Sequence, residues 1–191
     1  MNNINIRIAA ESDAAAIAAI YTPYVENTAI TFEYTAPSPA EICLRIKNTM
    51  KKYPYIVAEC GSETVGYAYA GALNTRKAYD HCAEVSIYIK NDMKKSGIGK
   101  KLYTALEELL KKQNIMNLYA CIAYPDAEDE YLTRNSEEFH AHLGYSLIGE
   151  FHKCGYKFGK WYNMVWMEKT IGTHESKPKD VIWFEELREN P

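Results

Sequence analysis

A strand that empties through a two-glycine turn into a long amphipathic helix is the feature that most narrows what this chain can become. Val85, Ile87 and Ile89 alternate with Ser86 and Tyr88, which predicts a strand with one face buried. Ile98, Leu102, Leu106, Leu109 and Leu110 then recur at helical spacing and predict a strongly amphipathic helix. Between the two lies Lys94-Lys95-Ser96-Gly97-Ile98-Gly99-Lys100. Without a Cβ at 97 or 99, backbone N–H groups can converge at the helix N-terminus. Such a turn holds a phosphate or diphosphate, helped by the helix dipole and by Lys94, Lys95 and Lys100. A capping glycine among solvated lysines would leave the same letters, so the turn alone leaves both readings open. Other phosphate motifs fit worse: there is no G-x-x-x-x-G-K-[ST], and Leu102 stands where the dinucleotide fingerprint needs its third glycine.

Around this unit the chain alternates strands and helices. Ile4, Ile6 and Ile8 give a short opening strand. A helix follows, with Ser12 and Asp13 as cap types and Ile17, Ile20, Tyr21, Tyr24 and Val25 on its apolar side; Pro23 predicts a kink or an early end. Ser38, Pro39 and Glu41 mark the start of a second helix whose apolar side is Ile42, Leu44, Ile46 and Met50. YIVAE and TVGYAYA, joined through Cys60-Gly61-Ser62-Glu63, predict a hairpin, and residues 71 to 82 a loop of the kind that carries function. LYACIAY gives a further strand, SEEFHAHLG a short helix, and SLIGEFH and WYNMVWMEK two last strands. PDAEDEYLTRN is expected to be an acidic surface loop, and THESKPKDVIWFEELRENP a polar linker with a short amphipathic piece packed on the surface. The order β-α-α-β-β-β-α-β-α-β-β predicts an α/β (α+β) domain: a mixed, mainly antiparallel sheet of six to seven strands with helices on both faces.

Several functional classes fall away. A net charge of −3 gives no basic face for nucleic acid. No stretch approaches the ~18 apolar residues of a membrane span, and no basic-then-apolar leader opens the chain, so a cytoplasmic protein is expected. The five cysteines are scattered and never in C-x-x-C pairs, and His81, His142, His152 and His174 show no ligand spacing, so neither disulfides nor a metal are expected.

The turn has the form K-x-x-G-x-G, and there the sequence resembles the GCN5-related N-acetyltransferase (GNAT) superfamily, whose Q/R-x-x-G-x-G/A turn binds the diphosphate of acetyl-CoA. Lys94 stands where Gln or Arg is usual; the motif works mainly through backbone donors. Within that superfamily, residues 4 to 170 resemble the phosphinothricin and methionine sulfoximine acetyltransferases. TPYVENTAITFEY, YPYIVAE, VGYAYAG, RKAYD, SGIGKKLY, HLGY and GYKFGKWYNMVWMEK carry the likeness. The longer PDAEDEYLTRN departs from it and puts acceptor identity in question. The resemblance implies one acetyltransferase domain over 1–170 with a tail over 171–191.

It also implies an acetyl-CoA-dependent N-acetyltransferase acting on a small amino-acid-like acceptor, and a homodimer. A peptide or protein acetyltransferase, or a non-catalytic acyl-CoA sensor, are the alternatives. Transfer from a thioester to an amine needs a base, an oxyanion site and a proton for the thiolate. In the resembling enzymes the Glu of the A-E segment is the base, which here is Glu84; read alone it is an exposed strand-end carboxylate. Backbone groups of Ile87, Tyr88 and Ile89 would meet the oxyanion and thioester, and the turn from Lys94 to Lys100 the diphosphate. His140 stands where many members place a Tyr acid, with helix packing the other reading. Asn135 matches a cofactor-contacting Asn or is a simple N-cap. Phe32, Arg76 and Tyr79 correspond to the acceptor pocket, Arg76 able to grip a carboxylate bidentately; read blindly they are two core aromatics and a surface charge.

Overall fold

The computed structural model describes residues 4–189. Seven strands form one sheet: β1 (Ile4–Ile8), β2 (Tyr55–Cys60), β3 (Glu63–Ala72), β4 (Cys82–Ile89), β5 (Asn117–Tyr124), β6 (Ser146–Lys157) and β7 (Lys160–Thr170). Five helices accompany them: α1 (Ala14–Asn27), α2 (Pro39–Thr49), α3 (Ile98–Lys112), α4 (Asn135–His142) and α5 (Phe184–Glu189). The strand order is β1-β2-β3-β4-β5-β7-β6, antiparallel throughout except for the parallel pair β4–β5. Helix α3 is the crossover that lets those two strands run in parallel, as such a connection must.

The sheet buries both faces. On one, Leu102, Tyr103, Leu106 and Leu110 of α3 pack on Val85, Leu118, Ala120 and Val165. On the other, Ile17, Tyr21 and Tyr24 of α1 and Ile42 and Ile46 of α2 pack on Tyr55, Val57 and Tyr67. The period-2 pattern of β2 to β4 is what divides each strand between the two layers.

Local signals were followed in most places. Ser38 caps α2 by accepting the Glu41 amide at 3.2 Å, with Pro39 at the first helical position. Pro23 does not end α1, which continues to Asn27 with Tyr24 and Val25 beyond it buried. Asp13 does not cap α1 with its side chain. Its carboxylate instead takes both terminal nitrogens of Arg7 at 2.7 Å, and Arg7 Nε donates to Glu59 at 2.8 Å. Leu44, expected on the apolar side of α2, is 57% exposed, since only Ile42 and Ile46 of that helix reach the core.

Two segments differ more. β6 is longer than SLIGEFH and runs to Lys157, its outward residues Leu147, Ile148 and Phe151 lying exposed on the sheet edge. The 125–134 connection is not purely a surface loop: Leu132 is buried with Ala29, Ala123 and Tyr162, and the Tyr131 ring stacks on Phe158 with centroids 4.3 Å apart. The last residues dock on the domain. Phe184 is buried, and Gln113 Nε2 donates to the carbonyls of Lys52 and Ile182 at 2.8 Å each.

The Arg7 guanidinium holds the Asp13 carboxyl below its ordinary 3.8. A depressed carboxyl stabilises the fold above its unfolded pKa and loses that contribution as the pH falls through the folded value. Asp13→Asn should therefore lower stability by about 1–3 kcal/mol at neutral pH. The gap from the parent should narrow between neutral pH and a pH below the ordinary 3.8, as the carboxyl takes up its proton. Urea denaturation of both proteins at the two pH values checks this; a gap independent of pH would contradict it.

Candidate active site

The site begins where strand pairing fails. β4 and β5 are in register only at Cys82↔Asn117, Ala83↔Leu118 and Glu84↔Tyr119. Beyond Glu84 the two strands part, while β4 stays paired with β3 to Ile89 and β5 with β7 to Tyr124. The fork between them is a narrow slot of about 50 Å³, walled by Val85 to Tyr88 on one side, Ala120 to Ala123 on the other, and Ile30 and His140 at its faces.

Ladder parity fixes which backbone groups face this slot. Lys90 donates to the Val65 carbonyl, so the even residues of β4 bond to β3 and the odd ones point to the β5 side. Ala83 spends its groups on β5; Val85 and Ile87 have no strand opposite them. Ile89 faces the same way and is met by a side chain: Tyr24 donates to its carbonyl at 2.6 Å, and its amide approaches the same hydroxyl at 3.4 Å. Of the three residues expected to serve through the backbone, Ile87 thus presents free groups, Ile89 is engaged by Tyr24, and Tyr88 is bonded to β3.

The turn carries the chain from the end of β4 into α3. Gly97 is the N-cap of α3 with φ +81°, a left-handed conformation open to glycine, and nothing lies within 4 Å of where its Cβ would be. The amides of Ile98, Gly99 and Lys100 precede the helix's own hydrogen bonds, the first of which runs from Lys101 to Gly97. Gly99 is a glycine for a different reason: a Cβ there would stand 2.9 Å from the Phe139 ring. Ser96 Oγ donates to the Met93 carbonyl at 2.5 Å and shapes the turn. Lys95 and Lys100 are exposed beside it. Lys94 differs from its expected aim at a phosphate, for its ammonium sits over the Tyr24 ring at 4.6 Å. These open amides and this vacant arc of backbone suit a diphosphate.

Glu84 occupies the apex of the fork, half-buried on the α1–α2 face. Burial raises its pKa above the ordinary 4.5. Tyr69, opposite Ser86, is its diagonal neighbour on that face.

His140 is placed at the slot but not as expected of an acid. It is buried, its Nδ1 lies 2.6 Å from the Ser136 carbonyl, and its Nε2 lies 2.9 Å from the Tyr103 hydroxyl. A carbonyl only accepts, so the ring proton is on Nδ1 and Nε2 accepts from Tyr103. Burial pulls the imidazole pKa down to about 4, so the ring is neutral at physiological pH and its one N–H is held by the Ser136 carbonyl. Its geometry corrects the acid expectation in favour of packing. Asn135 is the first residue of α4 and makes no cap bond; its exposed amide donates to Thr133 Oγ1 at 2.8 Å.

Phe32 lies over the β6–β7 hairpin, so close to Gly155 that any Cβ there would overlap its ring. Arg76 and Tyr79 lie exposed in the 73–81 connection, which contains a short 3-10 turn at Lys77–Tyr79. Among the described residues, no hydrogen bond, ion pair or ring contact links either of them to Phe32 or Glu84.

One residue that sequence reasoning passed over organises this end. Lys157 is buried, and its ammonium donates to the carbonyls of Val25 at 2.7 Å, Thr28 at 2.8 Å and Thr31 at 2.8 Å. Its three protons are all used, and two of the acceptors close the end of α1, where the dipole favours a cation. The clamp brackets Ile30, which walls the slot. Only its place in GYKFGKW hinted at a role. Among the described residues no cluster of His, Cys, Asp or Glu could hold a metal, and no helix is long and apolar enough to cross a membrane.

A mixed sheet whose one parallel pair parts after three residues, followed by a glycine turn at a helix N-terminus, sets an open slot beside one strand and an anion-suited turn after it. The comparisons give the family. Residues 6–166 match the acetyltransferase (GNAT) domain. The chain is 30% identical over 161 residues to the phosphinothricin N-acetyltransferase of Streptomyces viridochromogenes, covering 84% of each. It is 28% identical over 179 residues to the L-methionine sulfoximine/L-methionine sulfone acetyltransferase of Pseudomonas aeruginosa, covering 91% of this chain and 98% of that protein. The crystal structure of a phosphinothricin acetyltransferase from Sinorhizobium meliloti with acetyl-CoA superposes with a TM-score of 0.84 at 32% identity over 94% of each chain. The chain belongs to the GNAT acetyltransferase family and is an N-acetyltransferase.

Two variants probe these elements. Gly97→Val should lower coenzyme A affinity at least about tenfold by calorimetry, since a β-branched residue resists the left-handed conformation and fills the open arc. Lys157→Met leaves three carbonyls without their donor and should cost about 3 kcal/mol in chemical denaturation; a loss near zero would show that water replaces the ammonium.

Proposed function

We propose that the protein transfers the acetyl group of acetyl-CoA to the α-amino group of a small amino-acid-like acceptor, with Glu84 as the base. The observation that carries this is the position of Glu84 at the point where β4 and β5 separate: a carboxylate with a raised pKa, beside backbone donors that have no strand to bond. A carboxyl tuned upward by burial is a better proton acceptor near neutral pH than an ordinary one. The free groups of Ile87 and the amides of Ile98, Gly99 and Lys100 suit the thioester and the diphosphate, and Lys95 and Lys100 add charge.

In this reading Glu84 takes one proton from the acceptor's ammonium, directly or through a water. The amine nitrogen attacks the thioester carbonyl; a C–N bond forms, the oxyanion is met by the Ile87 amide, and the C–S bond breaks. The nitrogen is cationic after attack and gives its second proton to the departing thiolate, whose pKa near ~8.5 asks only for a weak acid. No side-chain acid is required, which fits the neutral, fully bonded His140. Phe32, Arg76 and Tyr79 would approach the acceptor, Arg76 gripping its carboxylate, and Asn135 the cofactor. Pairing of two copies, through the exposed β6 edge with Leu147 and Phe151, would fit the same reading.

Glu84→Gln should lower kcat at least about 100-fold with coenzyme A affinity nearly unchanged. In the parent enzyme the acid limb of kcat/KM should fall above the ordinary 4.5 of a glutamate. Thiol release from acetyl-CoA with a panel of amino acids reads both. Equal losses in turnover and cofactor affinity would remove Glu84 from the role, and cofactor binding without turnover on any amine would favour a sensor.

A further inference from the structure

The 73–81 connection, which carries Arg76 and Tyr79, is placed by its last residue. Residues 74 to 79 are exposed. Among the described residues the hydrogen bonds of this stretch are local: the Arg76 amide to Asn74 Oδ1 at 3.1 Å, the Tyr79 amide to the Arg76 carbonyl at 2.9 Å, and the Asp80 amide to the Lys77 carbonyl at 3.0 Å. Such bonds shape the segment without fixing where it lies. That begins at His81, whose carbonyl accepts the amides of Met116 at 2.8 Å and Asn117 at 3.2 Å and whose Nδ1 lies 2.8 Å from the Asn114 carbonyl. A carbonyl only accepts, so Nδ1 carries the ring proton and donates it.

Asn114 is gripped from the other side by the tail. Its backbone is left-handed with φ +62°, which asparagine tolerates, and its side-chain amide donates to the Asp180 carbonyl at 2.7 Å. Gln113 beside it is wholly buried and bonds Ile182 twice, accepting that residue's amide at 3.1 Å and donating Nε2 to its carbonyl at 2.8 Å. A second route runs through rings. Trp183 meets Tyr53 edge-on with centroids 5.8 Å apart, and Phe184 next to it is buried. The pKa of the Tyr53 hydroxyl is pushed up to about 12 by burial and by the Asp80 carboxylate and Cys82 thiol, so the ring that Trp183 packs on also neighbours the connection. Residues 180 to 184 lie beyond the 6–166 span of the matched domain, yet two routes join them to the segment that carries Arg76 and Tyr79.

We propose that Asn114 and His81 are positioning residues through which residues 180 to 184 hold the 73–81 connection in place and so set how tightly the acceptor binds. The inference rests on the reading above that Arg76 and Tyr79 approach the acceptor. An exposed segment that must be ordered on binding costs conformational entropy, and anchoring it beforehand removes part of that cost. Neither Asn114 nor His81 lines the slot, so the effect falls on the acceptor and leaves the thioester and the cofactor turn alone.

The test uses three full-length variants. Asn114→Gly keeps the left-handed backbone and the carbonyl but loses the amide on Asp180; His81→Ala loses the bond to Asn114; His81→Asn can restore it, since an amide nitrogen can stand where Nδ1 does. Deuterium exchange at the Tyr79 and Asp80 amides should speed up about tenfold in the first two and return toward the parent in the third. With phosphinothricin or L-methionine sulfone as acceptor, the first two should raise acceptor KM about fivefold, with kcat and the KM for acetyl-CoA within about twofold, and His81→Asn should recover most of the loss. Exchange unchanged in Asn114→Gly and His81→Ala would overturn the proposal. So would equal losses in kcat and in both KM values, the mark of a fold loosened throughout, or faster exchange with acceptor KM unmoved. Faster exchange reversed by His81→Asn, with no turnover by any of the proteins, would sink the transferase reading and keep the link between tail and connection.

Discussion

Three residue pairs hold β4 to β5, and the slot between the two strands exists because there is no fourth. Backbone N–H and C=O groups inside a protein are almost always bonded, and leaving them unpaired is costly. Here β4 is committed to β3 on one side and β5 to β7 on the other, so the two strands cannot close on each other without breaking a longer ladder. The unpaired groups of Val85 and Ile87 are therefore a fixed vacancy in the hydrogen-bond pattern. An extended chain rich in amides, such as the pantetheine arm of coenzyme A, can fill it at little cost in reorganisation. Tyr24 shows the same demand from within: its hydroxyl reaches across from α1 to satisfy the Ile89 carbonyl.

The two glycines of the turn illustrate how one motif can hold two requirements. Gly97 is needed for its left-handed backbone, and Gly99 for the proximity of Phe139. The second couples the glycine turn to α4, since a larger residue at 99 would push on Phe139 of the helix that also carries His140. His140 in turn is tied to Tyr103 of α3 and to its own helix at Ser136, a closed chain of bonds that fixes one wall of the slot. A histidine in such a chain is a spacer with a polar edge. That is also why its letter alone could suggest an acid: the residue type and its position were visible, but the occupation of both ring nitrogens was not.

The elements most legible from sequence were those with a one-sided apolar pattern. β4, α3 and the 55–72 hairpin followed from period 2 or 3.6, and the cap at Ser38 from its neighbours. β6 was cut short because most of it lies exposed on the sheet edge, where alternation carries no signal. Leu132 was hidden in an acidic run whose charge suggested solvent, though a single leucine there anchors the connection. The fork itself has no local signature; it follows from which strands are committed elsewhere. The glycine turn stood out from its own residues and Glu84 only through a resemblance, which could not say that Lys94 would turn toward Tyr24 or that Arg76 and Tyr79 would lie exposed.

Lys157 explains how the two halves of the chain share one site. Its ammonium comes from the last hairpin, and its three acceptors belong to the end of α1 and the turn after it, more than a hundred residues earlier. A neutral side chain could fill the space but could not bond three carbonyls at once, and an arginine's planar fork does not match three acceptors converging on a point. Phe32 resting on Gly155, and the Tyr34 hydroxyl donating to the Tyr156 carbonyl, extend the same seam. The slot side of the 28–32 segment is thereby held from both halves of the chain, while α2 is anchored by Ile42 and Ile46 in the core and by Arg45 on Glu33 and Glu41 at its surface. The wall of the slot is thus fixed where the bonds are buried and complete.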